Sequence, residues 1–282
     1  MAKTAGSARP DPTVESDSMP EESVLEIRDV SKSYFSASNG ELNILDTINL
    51  LVRPNEFISI VGASGCGKTT LMKIMAGLLK ATQGQVLIDG SPVSGPRPSE
   101  TAVVFQEDAL LPWFKVKDNV AIGLAAQGVR KAEQRDRVKS SLATVGLADH
   151  ADAYPHQLSG GMRQRAALAR GLVLEPRLLL LDEPFAALDE QTRNLMGAEL
   201  RAMHQRVGGA MIMITHSLTE AVLLSDRVVA MSAKPGQIRT IVDVPLGQER
   251  EASMVDRTDF VELRHLLWSE LQEDWLRSMS TS

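Results

Sequence analysis

The sequence predicts an α/β fold layered around a largely parallel sheet. Short, strand-length apolar runs alternate along the chain with stretches of helical periodicity. A glycine-rich loop at Gly62 sits between one such strand and one such helix, and a second strand ends in the adjacent acids Asp182 and Glu183. A strand that delivers a loop or a carboxylate to its end is characteristic of parallel sheets, whose functional groups gather at the carboxyl edge.

Taken in order, residues 1–22 are rich in Ser, Pro, Glu and Ala, without periodicity or the apolar core of a signal peptide, and predict a disordered tail. Residues 48–52 and 57–61 predict strands, 67–79 a helix, and 85–88 and 102–105 further strands. From about 116 to 173 the pattern is helical, broken by Gly128, Gly146 and the loop from Tyr154 to Gly161, with a charged stretch at 130–139. This predicts a helical subdomain, set at about 107–174 within a main domain of 23–245. Strands return at 178–181, 211–214, 227–231 and 238–242, with a helix at about 190–206 between the first two. Phe260, Leu263, Leu267 and Leu271 fall at helical spacing, with Trp268 and Trp275 nearby, in an extension over 246–282. A helix packed on its own domain is a simpler reading of that stripe than a partner-binding face.

Composition narrows the function. The formal charge of −6 argues against a general nucleic-acid grip, which requires an excess of Lys and Arg to neutralise phosphates. The single cysteine, Cys66, excludes an internal disulfide and a cysteine-built zinc site, and fits a reducing cytosol. No run approaches the roughly 20 apolar residues of a membrane span.

Gly62, Ala63, Ser64, Gly65, Cys66, Gly67, Lys68 and Thr69 fit the pattern GxxxxGK[ST], and Thr70 follows inside the predicted helix. Glycines let such a loop curl its N–H groups around phosphate, and the helix behind directs its positive end to the same place. In such a loop Lys68 would reach the β- and γ-phosphates of a nucleoside triphosphate, and the Thr69 hydroxyl would ligate Mg²⁺, which by itself says only that the chain is an NTPase. Cys66 reads as a small loop filler more simply than as a redox switch. Asp182 closes the apolar run 178–181 and holds Mg²⁺ through its water shell, while Glu183 orients or deprotonates the attacking water. His216, just past the predicted strand 211–214, arrives at the same edge as a γ-phosphate partner.

Between the loop and the acids stands Leu158-Ser-Gly-Gly-Met162, small residues opening a helix, which is a second anion-ready N-terminus. One nucleotide does not need two such cradles in one chain, so the second addresses a nucleotide held by another subunit. This arrangement resembles the ABC ATPase family from about residue 24 to 242, with each family motif in order. The resemblance implies a P-loop NTPase (RecA-like) core with an antiparallel β subdomain and an inserted α-helical subdomain.

The same resemblance assigns Tyr34 to adenine stacking, although Phe35 beside it offers a second ring. Gln106 matches the Q-loop glutamine near the metal, and Ser159, Gly160 and Gly161 match the signature. Asp182 matches the end of Walker B, Glu183 the catalytic glutamate, Asp189 the D-loop and His216 the switch histidine. Met162, where the family usually has Gln, and Ala186, where Ser is frequent, depart from the pattern without removing the Ser159 hydroxyl or the Gly160 and Gly161 amides. Leu-Leu-Pro-Trp113, Asn119-Val120 and Lys234-Pro-Gly-Gln237 are similar to the nitrate, sulfonate and taurine importer branch. Trp113 is then either part of a docking surface for membrane subunits or part of a packed turn.

What the resemblance implies is an ATPase working as a head-to-tail homodimer at the cytoplasmic face of the inner membrane. It would sit beneath integral membrane permease subunits, with an extracytoplasmic substrate-binding protein acting indirectly and no nucleic acid involved. A non-transport ATPase of the same family, acting in DNA repair or on ribosomes, and a regulatory nucleotide-binding subunit are the alternatives.

Overall fold

The computed structural model describes residues 23–36, 40–106, 109–247 and 250–279; the expected tail at 1–22 lies outside the described residues. The strands are β1 (Leu25–Ser36), β2 (Gly40–Val52), β3 (Phe57–Gly62), β4 (Gln83–Ile88), β5 (Ser91–Pro92), β6 (Thr101–Val104), β7 (Leu178–Asp182), β8 (Ala210–Ile214), β9 (Arg227–Ser232) and β10 (Gln237–Asp243). The α-helices are α1 (Lys68–Met75), α2 (Val116–Ala126), α3 (Lys131–Thr144), α4 (Gly160–Leu172), α5 (Glu190–Val207), α6 (Leu218–Leu224) and α7 (Thr258–Met279).

The central sheet runs in the order β10-β9-β3-β8-β7-β6. Its strands from β9 to β6 are parallel, and β10 joins antiparallel at one edge. Every residue of β3, β7 and β8 is buried, because both faces of the sheet are covered, and such strands read as continuous apolar runs. Their side chains divide by the two-residue period of a strand. Phe57, Val61, Leu179, Leu181, Met211 and Met213 pack with the helices α2 to α7. Ile58, Ile60, Leu178, Leu180, Ile212 and Ile214 pack with α1 and the second sheet.

That second sheet, β2-β1-β4-β5, is antiparallel. Its first hairpin is longer than the strand expected at 48–52. The part of β2 from Gly40 to Asn43 is exposed, so it carries no apolar alternation, and only its pairing with β1 makes it a strand. Helix α1 stops at Met75, short of the expected 79, because Gly77 adopts the left-handed conformation (φ 71°) that closes helices. Helix α6, with seven residues, is too short to show periodicity. Its signal was the capping pattern Ser217-x-x-Glu220: the Ser217 hydroxyl accepts from the Glu220 N–H at 3.2 Å.

Helices α2, α3 and α4 form one packed group inserted between β6 and β7. At the other end, α7 lies on α6, β9 and β10, with Phe260, Leu267 and Leu271 fully buried. The stripe seen in the sequence is therefore this helix's own core face. Arg250, leading into α7, is tied down by carbonyl acceptors on Val222, Ser225 and Val244. Burial, helped by neighbouring Arg201, brings its guanidinium down to about 10, and Asp226 opposes that shift. It thus stays charged at neutral pH, and its proximity to Asp226 (3.8 Å) offsets part of the cost of burial. Among the described residues no helix is long and apolar enough to cross a membrane.

Candidate active site

Four neighbouring parallel strands, β3, β8, β7 and β6, deliver the candidate groups to one edge of the sheet. β3 runs into the phosphate loop and α1, β7 ends on Asp182 and Glu183, β8 leads to Thr215 and His216, and β6 leads to Gln106.

The loop depends on its glycines. Gly65 (φ 76°) and Gly67 (φ 97°) adopt the left-handed conformation, so that the loop can fold back before α1 starts. Gly62 needs a bare Cα for a different reason, since a Cβ there would lie 2.6 Å from the Met231 carbonyl oxygen and 2.9 Å from the Cys66 sulfur. Lys68 is buried, and its ammonium donates to the carbonyls of Gly62 (2.8 Å) and Ala63 (3.0 Å). The loop is thereby wrapped around a positive charge. Cys66 is buried beneath it, and burial pushes its thiol up despite the opposing influence of Lys68. A thiol held protonated in this way behaves as packing.

A support for this loop went unread in the sequence. Gly236 is buried against it, its N–H donating to Ile44 O (2.9 Å) while its carbonyl accepts from the Asp46 N–H (3.0 Å). Gln237 adds a 2.8 Å bond to Asp46, so the β9–β10 turn fastens β2 of the second sheet beside the phosphate loop. A Cβ on Gly236 would overlap the Cys66 carbonyl oxygen. We expect Gly236→Ala to cost about 1–3 kcal/mol of stability through overpacking and to weaken nucleotide binding together with it. Chemical denaturation with a parallel nucleotide titration checks this, and an unaltered midpoint and affinity would contradict it.

The two acids have separate surroundings. The Thr69 hydroxyl lies 3.1 Å and 3.4 Å from the Asp182 carboxylate oxygens. Burial raises the Asp182 carboxyl above its usual value, the Thr69 hydrogen bond opposes this, and the charge of Glu183 adds to it. A divalent cation would relieve that burial, and an oxygen-only donor set of hydroxyl and carboxylate fits Mg²⁺. Glu183 has φ 46°, a left-handed conformation that costs a non-glycine residue about 1–3 kcal/mol. Its N–H still extends the sheet by donating to Ile214 O (2.9 Å). The turn in the backbone sends the Glu183 side chain away from Asp182, to an oxygen shared by Gln106 Nε2 (3.3 Å) and His216 Nδ1 (3.4 Å).

The second cradle forms as a helix cap. The Ser159 side chain accepts from the Met162 N–H (3.3 Å) at the start of α4, and Ser159 itself is exposed. A Cβ on Gly161 would touch Leu188, so this end of α4 packs on the Ala187–Asp189 turn. Among the described residues no hydrogen bond joins Ser159, Gly160 or Gly161 to the phosphate loop of the same chain. Asp189, matched above to the D-loop and there expected beside the nucleotide, stands at the start of α5. Its carboxylate caps α5, accepting from the Thr192 N–H (3.0 Å) and hydroxyl (2.7 Å), and the capping bonds lower its pKa. Tyr34 is half exposed with the Lys32 ammonium 4.9 Å from its ring centroid, while Phe35 is 79% exposed on the other side of the same strand.

Asn119, noted in the sequence only as part of a local resemblance, proves to be a brace. Fully buried, it accepts from the Leu111 N–H (2.7 Å) and donates to the carbonyls of Leu111 and Phe114 (3.1 and 3.0 Å). The turn it ties presents Trp113 to solvent at 67% exposure.

A parallel sheet whose carboxyl edge carries a glycine loop, a hydroxyl–carboxylate pair and a separately aimed glutamate defines a P-loop nucleoside-triphosphate hydrolase. Residues 45–186 match the ABC transporter family model. An uncharacterized ABC transporter ATP-binding protein of Methanocaldococcus jannaschii is 44% identical over 255 residues, 90% of this chain and 94% of that protein. A nitrate import ATP-binding protein of Synechocystis sp. is 42% identical over 80% of this chain and 85% of its own length. An aliphatic sulfonates import ATP-binding protein of Bacillus thuringiensis subsp. konkukian is 40% identical over 80% and 88%. The solved dimeric post-hydrolysis state of an ATP-binding cassette bound to ADP and Pi superposes with a TM-score of 0.71 at 28% identity, over 78% of this chain and 98% of that one. The chain belongs to the ABC transporter family and is an ATP-binding ATPase of it.

Proposed function

We propose that this chain is the ATP-hydrolysing subunit of an importer for a small anion such as nitrate, a sulfonate or taurine. It works as a head-to-tail homodimer held peripherally at the cytoplasmic face of the membrane by permease subunits, which receive solute from an extracytoplasmic binding protein. The ATPase domain spans residues 23–245 with the helical subdomain at 107–174, and 246–282 is an extension of it.

Gly62 to Thr70 grip the phosphates, with Lys68 turning from the loop carbonyls toward the β- and γ-phosphates. Thr69, Asp182 and Gln106 are the residues that would hold Mg²⁺, which neutralises phosphate charge when bound. Glu183 accepts the proton of the attacking water, and His216 and Gln106 fix its carboxylate while sensing the γ-phosphate. Tyr34 stacks on the base. Ser159, Gly160 and Gly161 address the nucleotide of the second copy, and Asp189 shapes the turn beside them. The observation that carries this reading is the Glu183 oxygen shared by Gln106 and His216, next to a separate Thr69–Asp182 pair.

Support for the shared pocket comes from the exposed Ser159 end of α4, which has no bond to its own loop among the described residues. Trp113, held outward by Asn119, is the proposed contact for the permease. ATP binds the closed dimer more tightly because the Ser159–Gly161 contacts exist only there, and that difference drives closure. The nitrate and sulfonate import relatives support the class of solute. Purification from native membranes in mild detergent should bring down a permease, and Trp113→Ala should weaken that association. Recovery of ribosomes or DNA-repair proteins in place of a permease would end the transport reading.

A further inference from the structure

Next to the candidate active site lies a cleft of about 380 Å³ whose walls are His216 at the entry to α6 and Val261, Arg264, His265, Trp268 and Trp275 of α7. That size lies within the roughly 300–1,000 Å³ of small-molecule sites. The two indoles stand 5.0 Å apart between centroids, inclined by 50°, and form one aromatic wall. Packing of α7 does not account for Trp268: Phe260, Leu267 and Leu271 supply the core face with no exposure, whereas Trp268 keeps 43%.

Among the described residues, the one fixed charge in the lining is positive. It is Arg264, beside two histidines and no carboxylate, and Glu183 stands 3.4 Å behind His216. Arg264 is half-buried and makes no ion pair or hydrogen bond among the described residues. A partly desolvated guanidinium lining the same cleft as an indole suits a planar anion, which it can hold through paired N–H bonds while the ring stacks.

We propose that this cleft binds an aromatic anion, a flat ring stacked on Trp268 with a carboxylate or sulfonate at Arg264, and that its occupancy slows ATP hydrolysis through His216. The imidazole that forms part of the cleft wall is the one 3.4 Å from Glu183. A ligand that holds His216 withdraws it from the γ-phosphate. The effect on hydrolysis rests on the role given to His216 above, whereas the binding does not.

Two of the three tryptophans, Trp268 and Trp275, line the cleft, so intrinsic fluorescence reports on it directly, and Trp113 is the third. Titrating the full-length protein with 1-naphthalenesulfonate should give saturable quenching that survives in Trp113→Phe. Arg264→Gln and Trp268→Leu, each checked for native circular dichroism, should weaken binding by about tenfold or more, and neutral 1-naphthalenemethanol should bind about as poorly. Steady-state ATP hydrolysis should fall several-fold with the probe in the unsubstituted protein and should not respond to it in Arg264→Gln. Lys68→Ala should still bind the probe, which separates failure of the nucleotide reading from failure of this one. Equal affinity in Arg264→Gln, equal affinity for the neutral analogue, or quenching that disappears when the protein is concentrated into dimers, because a second copy then covers the cleft, would each overturn the proposal.

Discussion

Replacing Glu183 with Gln should lower ATP hydrolysis by roughly 10²-fold or more and leave ATP bound. Gln keeps the length and shape of the side chain, so its oxygen still meets Gln106 and His216 at the 3.3 and 3.4 Å positions, and the backbone turn at φ 46° is unaffected. The negative charge is lost and, on the proposed role, with it the ability to accept a proton from water. Thr69, Asp182 and Lys68 are untouched, so the proposed grip on the triphosphate should persist and the nucleotide should wait in a closed dimer. Phosphate release and sedimentation velocity at saturating Mg·ATP read the two halves of this expectation separately. Turnover near that of the parent would remove Glu183 from the base role, and a species that stays monomeric would remove the shared pocket.

Lys68→Ala acts earlier, on binding. The ammonium already donates to two loop carbonyls, so the loop is organised around a cation before any phosphate arrives. Alanine removes that charge from a buried position and takes the Lys68 donor from both carbonyls, the Ala63 oxygen keeping only the Cys66 N–H at 3.3 Å. Charge-assisted hydrogen bonds contribute about 1.5–3 kcal/mol each, so losing the two to the β- and γ-phosphates should weaken ATP by about 10²- to 10⁴-fold, in effect abolishing binding. A fluorescent ATP analogue measures the change, with circular dichroism as the control for folding. Unchanged affinity would show that the loop binds something other than a triphosphate.

Much of the site was legible because its chemistry is written in contiguous residues. The loop from Gly62 to Thr69 and the run ending in Asp182 and Glu183 each carry their own flanking strand, and strands buried on both faces show as unbroken apolar runs. What stayed hidden depends on pairing across the chain. Nothing near Gly236 reveals that its Cα must clear the Cys66 carbonyl, and the exposed half of β2 becomes a strand only through β1. Glu183 shows no sign in sequence of its left-handed backbone, because Glu is an ordinary residue and the conformation is imposed by the sheet around it. Asp189 was legible as a motif member, and the spacing Asp189-x-x-Thr192 could also have indicated that its carboxylate caps α5.

The insertion of α2, α3 and α4 leaves the sheet after β6 and returns at β7, and those two strands are immediate neighbours. Both chain crossings of that body therefore lie side by side, and it is seated on the same two strands by packing, with Gly171 of α4 against Val104 and Leu179. The Ser159 edge belongs to the inserted body, Lys68 and Asp182 belong to the sheet, and Gln106 and Glu183 stand at the seam between them. A displacement of the inserted helices would reach the sheet edge first at that seam.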